Sequence, residues 1–107
     1  DNFILINNKI YTSLFLDHLL SIHQIKKNTE FESINYILEL GAGTGLLASA
    51  FLKLNKKIKY LIIDIPPTIF FSEYYLKNIG YKVFGYEDIS KTNILDIKKI
   101  LIKKLQL

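Results

Sequence analysis

The chain has 107 residues, half of them hydrophobic, so it is long enough for one small folded domain and too apolar for a disordered segment. All 14 basic residues are lysine and the net charge is +4. Without arginine, which usually reads phosphate and guanine, we expect no nucleic-acid partner. The absence of cysteine excludes disulfides and thiolate zinc sites. Every apolar run is shorter than the roughly 18 residues of a membrane span, so we expect a cytoplasmic protein.

The first predicted element is a helix over residues 12–25. Thr12 or Ser13 can cap it, and its apolar residues recur at helical spacing. His18 and His23 lie on this helix five residues apart. That spacing does not place them on one helix face, so we predict no metal site there.

The next elements alternate between strands and helices. Residues 34–40 predict a buried strand, because a short and largely apolar run there leads directly into a glycine-rich turn. The Leu- and Ala-rich segment Leu46–Leu54 predicts a helix. Residues 59–64 form the second predicted strand, which the following Pro-Pro pair ends because proline donates no hydrogen bond to a sheet. A third helix is predicted over Thr68–Asn78, with Gly80 at its C-terminal end.

The rest of the chain continues this alternation. It predicts a third strand over residues 81–84, a loop over residues 85–93 and a final helix over residues 94–105 with a lysine-rich outer side. Strands that are separated by helices pair in parallel through crossover connections. The predicted fold class is therefore α/β, with three parallel strands.

One segment carries the pattern of a ligand-binding loop. Residues 39–45 read Glu-Leu-Gly-Ala-Gly-Thr-Gly and join a predicted strand to a predicted helix, the context in which such loops bind ligands. Glycine reaches positive φ and lets a ligand approach the backbone. Leu46 stands where the dinucleotide fingerprint has Gly or Ala, and no Gly-Lys-Ser/Thr of a phosphate loop follows. Glu39, two positions before the first glycine, suits a ligand with a positive amino group.

Further candidate residues follow the later strands. Asp64 ends the second predicted strand, 23 residues after Gly41, where Rossmann-like sheets place a carboxylate that accepts ribose hydroxyls. Ile65 can pack on an adenine face. Asp88 follows the third predicted strand and can accept a hydrogen bond from an adenine amino group. The alternative for Asp64 is an aspartate that only caps a helix or lies in a loop, and the alternative for Asp88 is an ordinary acidic residue of a loop.

These motifs resemble class I S-adenosylmethionine-dependent methyltransferases, whose motif I is similar to the glycine-rich segment. Residues 60–67, Tyr-Leu-Ile-Ile-Asp-Ile-Pro-Pro, and residues 72–76, Ser-Glu-Tyr-Tyr-Leu, are similar to sugar O-methyltransferases, which pair the glycine loop with an Asp-Leu-Pro strand end and a Tyr-Tyr-Leu helix. The resemblance covers residues 34–88 and implies a Rossmann-like three-layer sandwich that binds S-adenosylmethionine as its cofactor. The residues it implies are Glu39, Gly41, Gly43 and Gly45 at the methionine end and Asp64 at the ribose, with Ala42 and Thr44 completing the loop and Ile65 and Asp88 on the adenine side.

The resemblance also implies an activity, which is methyl transfer to an oxygen on a sugar or another small-molecule hydroxyl. Transfer to a different small molecule or to nitrogen is one alternative, and a non-catalytic nucleotide-binding remnant is another. No residue in the chain fits the general base that an alkyl hydroxyl needs. We expect that base beyond residue 107.

The expected domain organisation is a partial cofactor-binding domain. Residues 1–33 form a helical lead-in, residues 34–90 the S-adenosylmethionine-binding core and residues 91–107 a C-terminal helix. Class I enzymes continue through a fourth strand, and this chain contains no methionine, so we expect it to be a fragment of a longer protein. The first strand would then carry a bare hydrophobic edge, which we expect the remaining chain or an oligomer partner to cover.

Overall fold

The chain begins with a β-hairpin that the sequence interpretation did not predict. The structure is a computed structural model that describes residues 2–91. In it, β1 (Phe3–Ile6) pairs antiparallel with β2 (Lys9–Thr12). Asn7 and Asn8 connect the strands with φ of 48° and 60°, and asparagine is among the few residues that adopt this left-handed conformation in two-residue hairpin turns. Within the predicted helical lead-in over residues 1–33, residues 3–6 and 9–12 are therefore strands, and the helix begins at Ser13.

The first helix follows the hairpin directly. It is α1 (Ser13–Asn28), three residues longer at its C-terminal end than predicted. Thr12 caps it, because its side-chain oxygen accepts a hydrogen bond of 3.2 Å from the Phe15 N–H. Lys26 and Lys27 lie in its last turn, where positive charge complements the helix dipole.

A strand–helix–strand unit forms the centre of the described chain. After a 3₁₀ turn (Phe31–Ser33), β3 (Tyr36–Leu40) leads into α2 (Leu46–Leu54), which returns to β4 (Lys59–Ile63). The two strands pair in parallel, in a register that sets Tyr36 opposite Lys59 and Leu40 opposite Ile63. The predicted strands, the helix between them and their parallel pairing are confirmed for this unit.

The hydrophobic core lies between one face of this two-stranded sheet and helices α1 and α2. Phe51 of α2 is at its centre, with ring centroids 6.1 Å from Phe31 and 6.0 Å from Tyr60. Ile22 of α1 is 1% exposed and completes the contact between the helices. Side chains alternate across a strand, so the opposite face of the sheet carries the remaining strand residues. The apolar and aromatic side chains on that face are exposed in the part of the chain that the structure describes: Tyr36, Leu38, Leu40, Leu61 and Ile63.

The third helix, α3 (Thr68–Asn78), has the predicted bounds. Gly80 follows it with a φ of +95°, and the Tyr81 N–H donates to the Leu76 carbonyl at 3.0 Å, a bond that closes the C-terminal end of the helix. The predicted strand over residues 81–84 is not formed. The Tyr81 N–H is used to close the end of α3, and the Tyr81 hydroxyl donates to the Ser49 carbonyl of α2 at 3.4 Å.

A short helix, α4 (Tyr86–Ser90), lies where a loop was predicted. The described residues therefore contain two parallel strands rather than the three expected of the fold class, in addition to the separate hairpin. The predicted helix over residues 94–105 lies outside the described residues, as does most of the predicted C-terminal segment 91–107. Among residues 2–91, no helix has the length and apolar character needed to span a bilayer.

Candidate functional site

The loop that joins β3 to α2 has the backbone shape that its glycines predict. The φ values are +72° at Gly41, +58° at Gly43 and +81° at Gly45, in a region that residues with a Cβ rarely adopt. A Cβ added at Gly41 or Gly43 would meet no atom within 4 Å, so open space lies beside these two glycines. Ala42 is half-buried and Thr44 is exposed between them. The loop therefore offers an accessible backbone at the end of β3.

The third glycine of the loop has a packing role. Gly45 is buried, and a Cβ there would lie 3.2 Å from the Ser72 Cβ and 3.3 Å from the Leu76 Cδ1. Both neighbours belong to α3, which thus packs closely against the start of α2. Contact with a ligand was predicted for Gly45 together with the other two glycines, whereas its surroundings in the structure are protein side chains.

Asp64 and the glycine loop lie side by side, as predicted. Asp64 directly follows β4, and its Oδ2 accepts a hydrogen bond of 2.9 Å from the Gly43 N–H. Its Oδ1 accepts from the Ile65 N–H at 2.8 Å, while the Gly41 N–H donates to the Ile63 carbonyl at 2.8 Å. Because β3 and β4 are parallel, their carboxyl ends meet at one edge of the sheet. At this edge the Asp64 carboxylate lies next to the accessible backbone of the glycine loop.

The second predicted carboxylate, Glu39, lies on the helix-covered face of β3. It is half-buried, and its Oε2 accepts a hydrogen bond of 2.9 Å from the Tyr60 hydroxyl of β4. Burial raises the pKa of Tyr60 above its ordinary value, and the hydrogen bond and the negative charge of Glu39 raise that pKa further. Glu39 therefore pairs with a tyrosine of the neighbouring strand.

Sequence reasoning missed Tyr60. The strands set Ile37 opposite Tyr60 and Glu39 opposite Ile62, which places Tyr60 and Glu39 on one face and diagonal to each other. The period of two along each strand is visible in the sequence, but the register between strands is not. The Tyr60–Glu39 pair can be identified only when the register between the two strands is known.

The two residues proposed for the adenine side lie in different surroundings. Ile65 is 73% exposed next to Asp64 and presents an apolar surface beside the loop. Asp88 lies in the first turn of α4, where its Oδ2 accepts from the Gly85 N–H at 2.8 Å, so it acts as a helix cap. It lines an open groove of about 440 Å³ together with α3 and α4 side chains, namely Phe70, Glu73, Tyr74, Lys77 and Glu87. The hydrogen bond from the Gly85 N–H gives Asp88 a structural role at the start of α4.

The charged side chains of the loop segment and of the adjoining strand end at Asp64 are carboxylates. Residues 36–52 contain no lysine or arginine, and the side chains that frame the loop include the carboxylates of Glu39 and Asp64. Within residues 2–91, no group of three or more His, Asp or Glu side chains is arranged to hold a metal ion. The site can therefore accept hydrogen bonds from neutral hydroxyls and attract a positive amino group.

Comparisons with protein-family models, with curated proteins and with solved structures each find no match. Support for a function therefore comes from the residues of the loop and from their geometry.

Proposed function

We propose that this chain is the cofactor-binding part of a Rossmann-like, S-adenosylmethionine-dependent methyltransferase, which methylates a hydroxyl of a sugar or another small molecule. The observation that carries the proposal is the contact between the Asp64 carboxylate and the Gly43 N–H across the ends of two parallel strands. A glycine loop and an acidic strand end in this arrangement are the two parts that an adenosyl ligand needs. The resemblance of residues 34–88 to class I methyltransferases supports the same assignment.

The geometry fits the ribose of an adenosyl ligand. Each Asp64 oxygen accepts one backbone hydrogen bond, from Gly43 or from Ile65. A carboxylate offers about four lone-pair sites, so each oxygen can still accept one ribose hydroxyl. The open space beside Gly41 and Gly43 leaves room for the ligand to approach the backbone. Asp64 would thus fix the ribose while the loop contacts the rest of the cofactor.

Glu39 and Ile65 would serve the two ends of the cofactor. The Glu39 carboxylate, fixed by Tyr60, supplies negative charge for the amino group of the methionine portion. Ile65, exposed beside Asp64, supplies an apolar surface for the adenine ring. When bound, S-adenosylmethionine supplies an activated methyl group on a positive sulfonium. The residues of this chain bind and orient it, which brings the reacting groups into line.

The proton of the acceptor hydroxyl needs a base, and we assign that role to no described residue. A general base beyond residue 107 stays a prediction, as do the small-molecule acceptor and the cytoplasmic location. The same holds for the expected cover of the first-strand edge by further chain or by an oligomer partner.

A calorimetric titration with S-adenosylhomocysteine tests the proposal. We expect a heat of binding that fits a single site on the chain. Asp64→Ala should abolish this heat while circular dichroism shows that the variant is folded. Asp17→Ala is the matched control, because Asp17 is an exposed carboxylate on α1. The absence of any heat of binding from the well-folded wild-type chain would reject the proposal and favour a non-catalytic remnant.

A further inference from the structure

We infer that Asp64 also selects the ligand by charge: its carboxylate occupies the Gly43 N–H and thereby keeps phosphorylated nucleosides out of the glycine loop. The loop is left to adenosyl ligands that carry no phosphate. This inference rests on the proposed function, because it concerns the same site. It adds the chemical class of ligand that the site rejects.

The loop is built like a site for anions. A glycine-rich turn that leads into a helix presents backbone N–H groups to a phosphate, and the helix dipole favours the negative charge. Here the turn leads into α2, which begins at Leu46. The Gly43 N–H lies in the middle of the turn and already donates to Asp64 Oδ2 at 2.9 Å. A carboxylate oxygen thus takes the place that a phosphate oxygen would need.

Among residues 2–91, the lysines of the elements that carry the loop offer no positive charge to offset Asp64. The lysine nearest to the loop in sequence is Lys53, in the last turn of α2, and the lysine nearest to Asp64 is Lys59, the first residue of β4. Both lie at the end of their element that is opposite the loop. Lys77 of α3 pairs with Glu73 at 2.6 Å. A phosphate on the loop would therefore meet a fixed negative charge within a few ångströms, and none of these three lysines is placed to balance it.

Asp64 is also held in place. Its Oδ1 accepts from the Ile65 N–H at 2.8 Å, and the adjacent Ile63 carbonyl accepts from the Gly41 N–H at 2.8 Å. A phosphate would have to break the bond to Gly43 and remain next to the displaced carboxylate. Ribose hydroxyls are neutral donors that add to the same oxygens, so they bind without this competition. The site accordingly separates nucleosides from nucleotides.

Titration calorimetry at low ionic strength with adenosine, adenosine 5′-phosphate and S-adenosylhomocysteine tests the inference on the whole chain. Because like charges repel strongly when unscreened, we expect the phosphate to bind at least about tenfold more weakly than adenosine. In Asp64→Asn, which keeps the side-chain shape, both should bind more weakly but the difference should fall to about threefold or less. Asp17→Asn removes an exposed carboxylate on α1 and should leave the difference unchanged.

The outcomes separate the inference from the proposed function. If S-adenosylhomocysteine binds and the phosphate binds as tightly as adenosine, the inference is wrong and the methyltransferase proposal stands. A difference that persists undiminished in Asp64→Asn would also overturn the inference, since its source would not be Asp64. If the folded chain binds no S-adenosylhomocysteine, the proposed function fails and the inference fails with it.

Discussion

The Tyr60 hydroxyl donates a hydrogen bond of 2.9 Å to Glu39 Oε2, and this bond links β4 to β3 on the buried face of the sheet. Tyr60 also packs against Phe51 of the core, with ring centroids 6.0 Å apart. The carboxylate proposed to receive the cofactor's amino group is thus held by a side chain that is itself anchored in the core. Core packing and the proposed binding site are coupled through this pair.

Removing the Tyr60 hydroxyl should weaken cofactor binding. In Tyr60→Phe the ring still packs on Phe51, but Glu39 loses its fixed donor. We expect the dissociation constant for S-adenosylhomocysteine to rise about three- to tenfold, which corresponds to the net contribution of one typical hydrogen bond. Tyr74→Phe is the matched control, because Tyr74 is 71% exposed on α3. Equal affinities for Tyr60→Phe and the wild type would show that Glu39 needs no orientation by Tyr60.

The same tyrosine should make stability depend on pH in alkaline solution. Burial, the hydrogen bond to Glu39 and the charge of Glu39 raise the pKa of Tyr60 in the folded chain. Above the ordinary tyrosine value of about 10, the unfolded chain loses this proton first, so the free energy of unfolding falls as pH rises. Below that pH both states keep the proton and the contribution is complete.

Urea unfolding of the wild type and Tyr60→Phe across the alkaline range measures this effect. We expect the wild type to be more stable at neutral pH and its advantage to shrink above about pH 10. Titration of the lysines and the other tyrosines occurs in both proteins and cancels in the difference. An advantage that stays constant through the range would contradict the assigned cause of the pKa shift.

Gly45 should tolerate a methyl group less well than Gly80 does. Both have positive φ, so alanine at either position costs about 1–2 kcal/mol of backbone strain. At Gly80 the added Cβ meets nothing within 4 Å, whereas at Gly45 it presses on Ser72 and Leu76. Gly45→Ala should therefore lose about 1–3 kcal/mol more than Gly80→Ala in chemical denaturation. Equal losses would show that α3 moves away from α2 without cost.

Replacing Asn55 should lower the free energy of unfolding more than replacing an exposed asparagine does. It is 6% exposed, and its Nδ2 donates to the carbonyls of Phe31 at 3.4 Å and Ile34 at 3.2 Å. Asn55→Ala removes both of these hydrogen bonds and leaves the Ile34 carbonyl without this donor, so it should cost about 1–3 kcal/mol of unfolding free energy. Asn35→Ala, at an exposed asparagine, should change it by less than about 0.5 kcal/mol. Comparable losses in denaturation would contradict the bridging role of Asn55.

Local signals in the sequence predicted the central part of the fold. Helices Leu46–Leu54 and Thr68–Asn78 have the predicted bounds, because apolar spacing and the adjacent Gly or Pro residues mark them within a few residues of chain. The proximity of Asp64 to the glycine loop followed from a general rule, since carboxyl ends of neighbouring parallel strands share one edge.

The features that depend on distant partners could not be predicted in this way. The segment over residues 81–84 has a strand-like composition, but a strand also needs a neighbour, and the Tyr81 N–H instead donates to the Leu76 carbonyl at the end of α3. The hairpin was overlooked although Asn7 and Asn8 mark its turn. The Tyr60–Glu39 bond depends on the register of two strands, which no local pattern contains.

The central claim is that an adenosyl ligand binds on the glycine loop beside Asp64. The chain has five glycines, and three of them lie in this loop. Labelling glycine with ¹⁵N therefore gives a nuclear magnetic resonance spectrum of five amide signals, which can be followed while S-adenosylhomocysteine is added. We predict that the signals of Gly41 and Gly43 move most and that Gly80, beyond α3, stays in place. Loop signals that remain unmoved in the folded protein at saturating ligand would contradict the claim.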